Sequence, residues 1–130
     1  MQLGMPMSGM PTLGSVMTPL PHSIDVVTAR VLMEEHGIHH LAVTSNGKIA
    51  GVVTDRDIQV AGSLAPEREG ELLVREVCHM PAYVAEAAEP LDVVLDEMAD
   101  RQLSSVVVVD HSGQLLGILT LTDVCRLFAR

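Results

Sequence analysis

Aromatic residues are almost missing from this 130-residue sequence, which has one Tyr, one Phe and no Trp. The interior of the folded chain must therefore be built from aliphatic side chains, and 48% of the residues are hydrophobic. A chain of this length can bury roughly two-thirds of the surface that its unfolded form exposes. The composition predicts one compact domain, or two small units sharing a core, with some apolar surface covered by a partner chain.

Positive charge is also scarce, with 8 Lys and Arg residues against 17 Asp and Glu residues and a formal net charge of −9. Because polyanions are bound by clusters of Lys and Arg, which the sequence lacks, we expect no nucleic-acid partner and no binding to membranes. No uninterrupted apolar run exceeds four residues, which is far short of a membrane span. The first ten residues lack the basic and apolar regions of a signal peptide, so we expect a cytoplasmic protein.

Motifs for catalysis are missing as well. The sequence has no nucleophile elbow, P-loop or GxGxxG motif, and no Ser stands at a spacing that indicates a catalytic triad. Cys78 and Cys125 belong to no CxxC or metal-binding pattern, which predicts two reduced, partly buried thiols. We therefore expect no enzymatic activity and no required cofactor.

Two groups of residues could suit a metal, and for each a simpler interpretation is favoured. His36, His39 and His40 could bind zinc from one helix, but Gly37 and the β-rich residues after it interrupt that helix, so we expect no metal site. Thioethers suit Cu(I), and four stand near the N-terminus, at Met1, Met5, Met7 and Met10. Residues 1–11 are interpreted as a disordered Met-rich leader.

The rest of the sequence is an internal duplication. Residues 51–57 match residues 117–123 at an offset of 66, with Gly, Thr and Asp coinciding. Residues 38–43 match residues 103–108 at an offset of 65. The sequence therefore divides into a leader, a first copy, a polar linker and a second copy, at residues 1–11, 12–61, 62–72 and 73–130.

Each copy has the same predicted order of elements. A short strand, around Ser23 in the first copy and at residues 83–85 in the second, precedes an amphipathic helix with apolar residues at i, i+3 and i+7. Gly37 is expected to end the first of these helices as a left-handed cap. Two β-rich runs follow, and Asn46-Gly47 between the first pair is typical of a hairpin turn. A final helix begins at each Thr-x-x-Asp.

The duplicated segments resemble the tandem cystathionine-β-synthase (CBS) domain family, in the small bacterial form that consists of this module alone. The segments that carry the likeness are residues 16–19, 37–43, 51–58, 103–110 and 117–124. The resemblance implies an α/β (α+β) fold of two β-α-β-β-α units, packed sheet to sheet about a pseudo-twofold axis with two clefts between them. It also implies a ligand in these clefts, namely AMP, ADP, ATP or S-adenosylmethionine, and a homodimer formed through helices.

The Thr-x-x-Asp motif has chemistry that suits a nucleoside. Thr54 and Thr120 stand where a strand becomes a helix, and there the first helical N–H groups lack partners and favour an anionic or hydroxylated ligand. Asp57 and Asp123, three residues on, could accept two hydrogen bonds from a ribose diol. The motif is also an approximate capping box that needs no ligand. Its recurrence at equivalent places favours ligand contact in at least one copy.

The adenine is expected to lie against the first and second strands of each copy. The residues expected there are His22, Ser23, His40, Leu41, Tyr83, Val84, Ser105 and Val106. Inside the motif the copies differ, because Asp55 and Arg56 in the first are replaced by Leu121 and Thr122 in the second. Arg56 could pair with a phosphate or be a solvated side chain, while Asp55 adds negative charge. With a net charge of −9, we expect unequal clefts that prefer AMP or S-adenosylmethionine to metal-free ATP.

Three functions remain open. The first is a sensor in which an adenosine-type ligand changes the geometry or oligomeric state and so acts on a separate partner protein. The second is a structural dimerisation module with vestigial clefts, and the third is a small metal-dependent enzyme. The sensor is the preferred hypothesis, and because no output domain is evident in the sequence, the regulated partner is expected to be another polypeptide.

Overall fold

The computed structural model describes residues 4–7, 19–68 and 70–129 and shows two three-stranded sheets with helices. Among these residues, 19–82 form one compact unit, and 83–129 form a second together with residues 4–7. We call these the first unit and the second unit. The predicted mixed α/β class is confirmed.

The first unit has a sheet of order β1-β2-β3, in which β1 is parallel and β3 antiparallel to the central strand β2. Its elements are β1 (Leu20–Pro21), α1 (Val26–His36), β2 (His40–Ser45), β3 (Lys48–Thr54), α2 (Asp55–Leu64), a 3-10 turn (Pro66–Arg68) and α3 (Val74–Val77).

The second unit repeats this arrangement with the sheet order β4-β5-β6 and the same strand directions. Its elements are β4 (Val84–Glu86), α4 (Leu91–Asp100), β5 (Ser105–Val109), β6 (Leu115–Thr120) and α5 (Leu121–Phe128). Even the register shift in the central strand recurs, at Val43/Thr44 and at Val108/Val109. The duplication in the sequence is therefore a duplication of the fold.

Local chemistry explains the first helix and the first hairpin. Asp25 begins α1, since its carboxylate accepts a hydrogen bond from the Thr28 N–H at 2.8 Å. Gly37 ends α1 with φ 61°, which confirms the predicted left-handed cap. Asn46 and Gly47 have φ 53° and 77°, the two positive values that a tight type I′ hairpin requires, so the predicted turn is also confirmed.

The first strand lies earlier than the sequence predicts. β1 is Leu20–Pro21, and the chain turns at once, because the Ile24 N–H donates to the Pro21 carbonyl oxygen at 3.2 Å. Ser23 is an exposed residue of that turn and leads into the Asp25 cap. The placement of a strand around Ser23 is therefore wrong.

The boundary between the units also differs from the predicted segments. The sequence predicts a linker at residues 62–72, but α2 continues to Leu64, and residues 73–82 belong to the first unit. His79 exchanges two backbone hydrogen bonds with Val52, of 3.0 and 2.9 Å, at the edge of β3. This close approach requires Gly51, since a Cβ there would lie 2.5 Å from the His79 carbonyl oxygen.

Residues 4–7 depart from the disorder expected for the leader. Met7 is 0% exposed and is part of the aliphatic core of the second unit. Its N–H donates to the Glu89 carbonyl oxygen at 3.1 Å, and the Leu91 N–H donates to the Met5 carbonyl oxygen at 2.8 Å. The second bond satisfies the first N–H of α4, and the flexible thioether side chain of Met7 fills space in the aliphatic core of the second unit.

Both thiols are free, but their burial differs from the prediction for one of them. Cys78 is half-buried, and this burial raises the pKa of its thiol. Cys125, expected to be partly buried, is exposed. Across the described ranges, no helix has both the length and the apolar character needed to cross a membrane.

Candidate functional site

Both Thr-x-x-Asp motifs form complete capping boxes, which we call the first junction (Thr54 and the first turn of α2) and the second junction (Thr120 and the first turn of α5). At the first junction the Asp57 N–H donates to Thr54 Oγ1 at 3.0 Å, and the Thr54 N–H donates to Asp57 Oδ2 at 2.9 Å. At the second junction the corresponding bonds of Thr120 and Asp123 are 3.1 and 3.2 Å. Capping therefore engages one carboxylate oxygen of each Asp and leaves Oδ1 for another contact.

The backbone of each junction also retains a donor. The first N–H of each helix is already used, because Asp55 donates to the His39 carbonyl oxygen at 3.1 Å and Leu121 donates to the Ser104 carbonyl oxygen at 3.0 Å. The next N–H groups belong to Arg56 and Thr122, and no acceptor for them is found among the described residues. These N–H groups point out of the positive end of a helix and could bind a hydroxyl or an anion.

The carboxylates of the two junctions have different surroundings. Asp57 Oδ1 lies 2.9 Å from His79 Nε2, so both oxygens of Asp57, whose side chain is only 16% exposed, are engaged. Asp55 Oδ2 lies 2.6 Å from His39 Nδ1 at the same junction. Asp123 Oδ1 has no partner within the part of the chain that the structure describes. The second junction is therefore the more accessible acceptor.

His79 is a site residue that the sequence analysis missed. It is 22 positions from Asp57 and reaches it because residues 79–82 run along the edge of β3. No local pattern around His79 indicates this edge pairing. Gly51 was the available signal, since a glycine inside a strand often marks the close approach of another backbone.

The starts of the second strands lie beside the junctions, as expected. His40 pairs with Thr54 across β2 and β3, and Leu41, the next residue, is 2% exposed. The second unit repeats this arrangement with Ser105, Val106 and Thr120. Each junction therefore has a buried aliphatic side chain next to it on the central strand.

The start of β4 lies at the same end of its sheet as the second junction. Val84 pairs with Val107, and the Val107 N–H donates to the Tyr83 carbonyl oxygen at 2.8 Å. Val107 is two residues after Ser105, the first residue of β5. The guanidinium carbon of Arg101 lies 4.9 Å from the centre of the Tyr83 ring. Arg101 was not identified from the sequence. Tyr83 is half-buried, and burial raises the pKa of its hydroxyl.

His22 and Ser23 are not brought to the first junction. The His22 N–H donates to the Thr44 carbonyl oxygen at 2.8 Å, near the end of β2 that is opposite to His40. Four residues of strand separate Thr44 from His40, which is about 13 Å. Placing His22 and Ser23 at the first ligand site is an error that follows from the misplaced first strand.

The strand register identifies the residue of the first unit that corresponds to Val84 of the second unit. β1 and β4 pair with matching positions of β2 and β5 when Leu20 is aligned with Ala85. The counterpart of Val84 is therefore Pro19, a half-buried residue. The offset of 65 between the second strands, continued towards the N-terminus, was the sequence signal that could have identified Pro19.

The remaining candidates are exposed or isolated. Arg56 is exposed and has no ion-pair partner among residues 4–7, 19–68 and 70–129, and Thr122 is exposed as well. His36 Nδ1 lies 3.0 Å from the Leu32 carbonyl oxygen of its own helix. The described residues include no group of three or more His, Cys, Asp or Glu side chains that could hold a metal ion.

Comparison with known proteins gives a family match and longer relatives. The family model described as CBS domain matches residues 13–62 and 74–130. The L-aspartate semialdehyde sulfurtransferase of Methanocaldococcus jannaschii is 32% identical over 107 residues, which cover 82% of this chain and 20% of that protein. The chain spans about a fifth of the length of several curated relatives that it matches.

Solved structures match nearly the whole chain. A conserved protein of Pyrococcus horikoshii has a TM-score of 0.79 at 24% identity, over 100% of this chain and 96% of that one, and this likeness concerns the fold alone. The CBS domain pair of protein MJ0100, in complex with 5′-methylthioadenosine and S-adenosyl-L-methionine, has a TM-score of 0.72 at 28% identity. That match covers 95% of each chain.

Proposed function

Because the chain belongs to the CBS-domain family, we propose that it is a non-catalytic regulatory module that binds an adenosine-type ligand and acts on a separate partner protein. The observation that carries the proposal is the Asp carboxylate fixed in the first helical turn of both junctions, with a backbone donor beside it. AMP, ADP, ATP and S-adenosylmethionine are the candidate ligands.

The second junction has the groups that a nucleoside needs. Asp123 Oδ1 can accept a hydrogen bond from a ribose hydroxyl, and the Thr122 N–H can donate one. Ser105, which is partly exposed and pairs with Thr120, lies beside this junction and can contact the base, whereas Val106 is buried in the core of the second unit. The complex of the MJ0100 domain pair with 5′-methylthioadenosine and S-adenosyl-L-methionine supports a ligand of this class.

The charge of the chain favours ligands with little negative charge. At a net charge of −9, the chain repels a metal-free triphosphate, whereas 5′-methylthioadenosine has no phosphate and S-adenosylmethionine carries a positive sulfonium. We therefore expect S-adenosylmethionine and 5′-methylthioadenosine to bind more tightly than AMP, and AMP more tightly than ATP without Mg²⁺.

Isothermal titration calorimetry of the purified protein tests the proposal with four ligands, namely S-adenosylmethionine, 5′-methylthioadenosine, AMP and ATP without Mg²⁺. A ligand at a concentration of 100 times its Kd should also stabilise the fold by about 2.7 kcal/mol, which is measurable as a rise in Tm. Asp123→Ala removes a hydrogen bond to a charged group, worth about 1.5–3 kcal/mol, and should weaken binding by roughly 10-fold or more. Asp96→Ala, at an exposed position of α4, is the matched control and should leave the Kd unchanged.

Two results would contradict the proposal in different ways. If none of the four ligands binds, or if Asp57→Ala and Asp123→Ala both leave the Kd unchanged, the junctions are not ligand sites. If metal-free ATP binds more tightly than the other three, the argument from charge is wrong although the site remains.

A structural dimerisation module is the second candidate function. It is favoured by the complete capping boxes, in which Thr54 and Thr120 fulfil their structural role without a ligand. Analytical ultracentrifugation with and without S-adenosylmethionine separates the two functions. A homodimer whose mass, shape and Tm do not respond to any of the four ligands would favour the structural module, whereas a ligand-dependent change would favour the sensor.

The proposal includes the absence of catalytic activity and a location in the cytoplasm. The sulfurtransferase activity named for the Methanocaldococcus jannaschii relative is not proposed for this chain, because the match covers only 20% of that protein. We propose a cytoplasmic homodimer without a required cofactor, in which the ligand is a signal and not a substrate.

A further inference from the structure

The acceptor side of the first junction is already occupied by a side chain of the protein. Asp57 Oδ2 accepts from the Thr54 N–H at 2.9 Å, and Asp57 Oδ1 lies 2.9 Å from His79 Nε2. A ribose hydroxyl that donates to Asp57 would have to replace His79 or share the oxygen with it. At the second junction the same oxygen of Asp123 has no partner among the described residues, so none of these residues competes for it.

The backbone fixes His79 in this position. Its N–H and carbonyl oxygen exchange hydrogen bonds of 2.9 and 3.0 Å with Val52, and the Ala82 N–H donates to the Ala50 carbonyl oxygen at 2.9 Å. Residues 79–82 therefore extend the edge of the first sheet, and Gly51 provides the space. Only the side chain of His79, which is 76% exposed, is free to move away from Asp57.

We propose that His79 is a specificity-determining residue that competes with a ribose-containing ligand for Asp57, so that the second junction binds the ligand first and the first junction binds it more weakly. The inference rests on the proposed function and deepens it, because it assigns an order of occupancy to the two junctions. It differs from the asymmetry expected from Asp55 and Arg56, which concerns phosphate charge and not the ribose.

The expected effect is a several-fold difference in affinity and not a complete block. The imidazole is exposed, so water can replace its contact with Asp57 when a ligand binds. A net hydrogen bond of the ordinary strength changes an equilibrium by about 2- to 13-fold. We expect removal of His79 to tighten ligand binding at the first junction by about 3- to 10-fold.

The probe is 5′-methylthioadenosine, which has the ribose diol but no charge, and the measurement is isothermal titration calorimetry. Asp123→Ala isolates the first junction, and Asp123→Asn, which keeps an oxygen for the cap, replaces it if the alanine variant does not fold. In that background, His79→Ala should lower the Kd by 3- to 10-fold. His79→Gln, which can still donate to Asp57, should resemble the parent, and His111→Ala, at an exposed turn of the second unit, should have no effect.

Each outcome is decisive. The inference is wrong if His79→Ala leaves the Kd unchanged or raises it, or if Asp57→Ala removes the tighter site of the otherwise unaltered protein and Asp123→Ala does not. Failure of the proposed function gives a different result. In that case the unaltered protein and the His79→Ala protein would both fail to bind the probe, and this result would overturn the proposed function and the inference together.

Discussion

Replacing Gly51 by alanine should destabilise the protein, because this residue lies where two backbones meet. The new Cβ would lie 2.5 Å from the carbonyl oxygen of His79 and 2.7 Å from Cγ of Met80. The flexible Met80 side chain can rotate away. The carbonyl oxygen cannot, since it accepts a hydrogen bond from the Val52 N–H at 3.0 Å, and the Val52 carbonyl oxygen accepts one from the His79 N–H at 2.9 Å.

The magnitude follows from the movement that the methyl group demands. An ordinary contact of 3.4 Å requires the His79 carbonyl to withdraw by about 0.9 Å, which breaks or strains both hydrogen bonds. Losing these bonds costs about 0.5–1.5 kcal/mol each, and overpacking costs about 1–3 kcal/mol. The smaller entropy of an unfolded alanine offsets about 0.4–1 kcal/mol. The free energy of unfolding should therefore fall by about 3 kcal/mol.

Urea unfolding followed by circular dichroism measures this loss, and a thermal scan should show a Tm lower by about 11 °C. Gly62→Ala is the matched control, because Gly62 lies inside α2 and a Cβ there meets no atom within 4 Å. In that helix alanine should stabilise by up to about 1 kcal/mol. The two substitutions are chemically identical and should change stability in opposite directions.

Equal unfolding midpoints for Gly51→Ala and the unaltered protein would refute the reasoning. That result would mean that residues 79–82 can leave the edge of β3 at little cost. The contact between His79 and Asp57 would then not be fixed by the backbone, and the order of occupancy proposed for the two junctions would lose its structural basis.

Three further substitutions test other parts of the fold. Met7→Ala should lower the free energy of unfolding by about 2–5 kcal/mol, because Met7 is 0% exposed. Its control, Leu64→Ala at 81% exposure, should change the free energy of unfolding by no more than about 0.5 kcal/mol in the same urea assay. Equal effects of the two variants would mean that the N-terminal segment is not part of the core. Thr120→Ala should lower the free energy of unfolding by about 1 kcal/mol, and Thr120→Ser should restore most of it; a serine variant as unstable as the alanine variant would exclude the capping bond as the cause. Hydrogen bonds from Thr28 hold the pKa of Asp25 below its ordinary value of 3.8, so the stability that Asp25 contributes is present above that pH and is lost as the pH falls through the lower, folded-state value. The stability difference between the unaltered protein and Asp25→Ala should accordingly shrink in urea titrations below about pH 4, and a difference that grows on acidification would contradict this assignment.

Local patterns predicted much of the fold. Gly37 as a left-handed cap, the Asn46-Gly47 turn and the helices that begin at each Thr-x-x-Asp all follow from hydrogen bonds and dihedral angles within a few residues. The duplication predicted the matching sheets, because equal patterns form equal local structures. The first strand was misplaced, since two residues such as Leu20–Pro21 are too few to produce an alternating pattern.

The sequence alone determined that this chain has two copies of one unit, an aliphatic interior and an Asp in the first turn after each third strand, because periodicity, turn chemistry and capping act over short distances along the chain. Tertiary structure decided that Met7 enters the core of the second unit and that His79 reaches Asp57. Those contacts join segments that are far apart in sequence, and they depend on which strand edge and which core space remain unfilled once the local elements have formed. Neither property is visible in the residues around Met7 or His79.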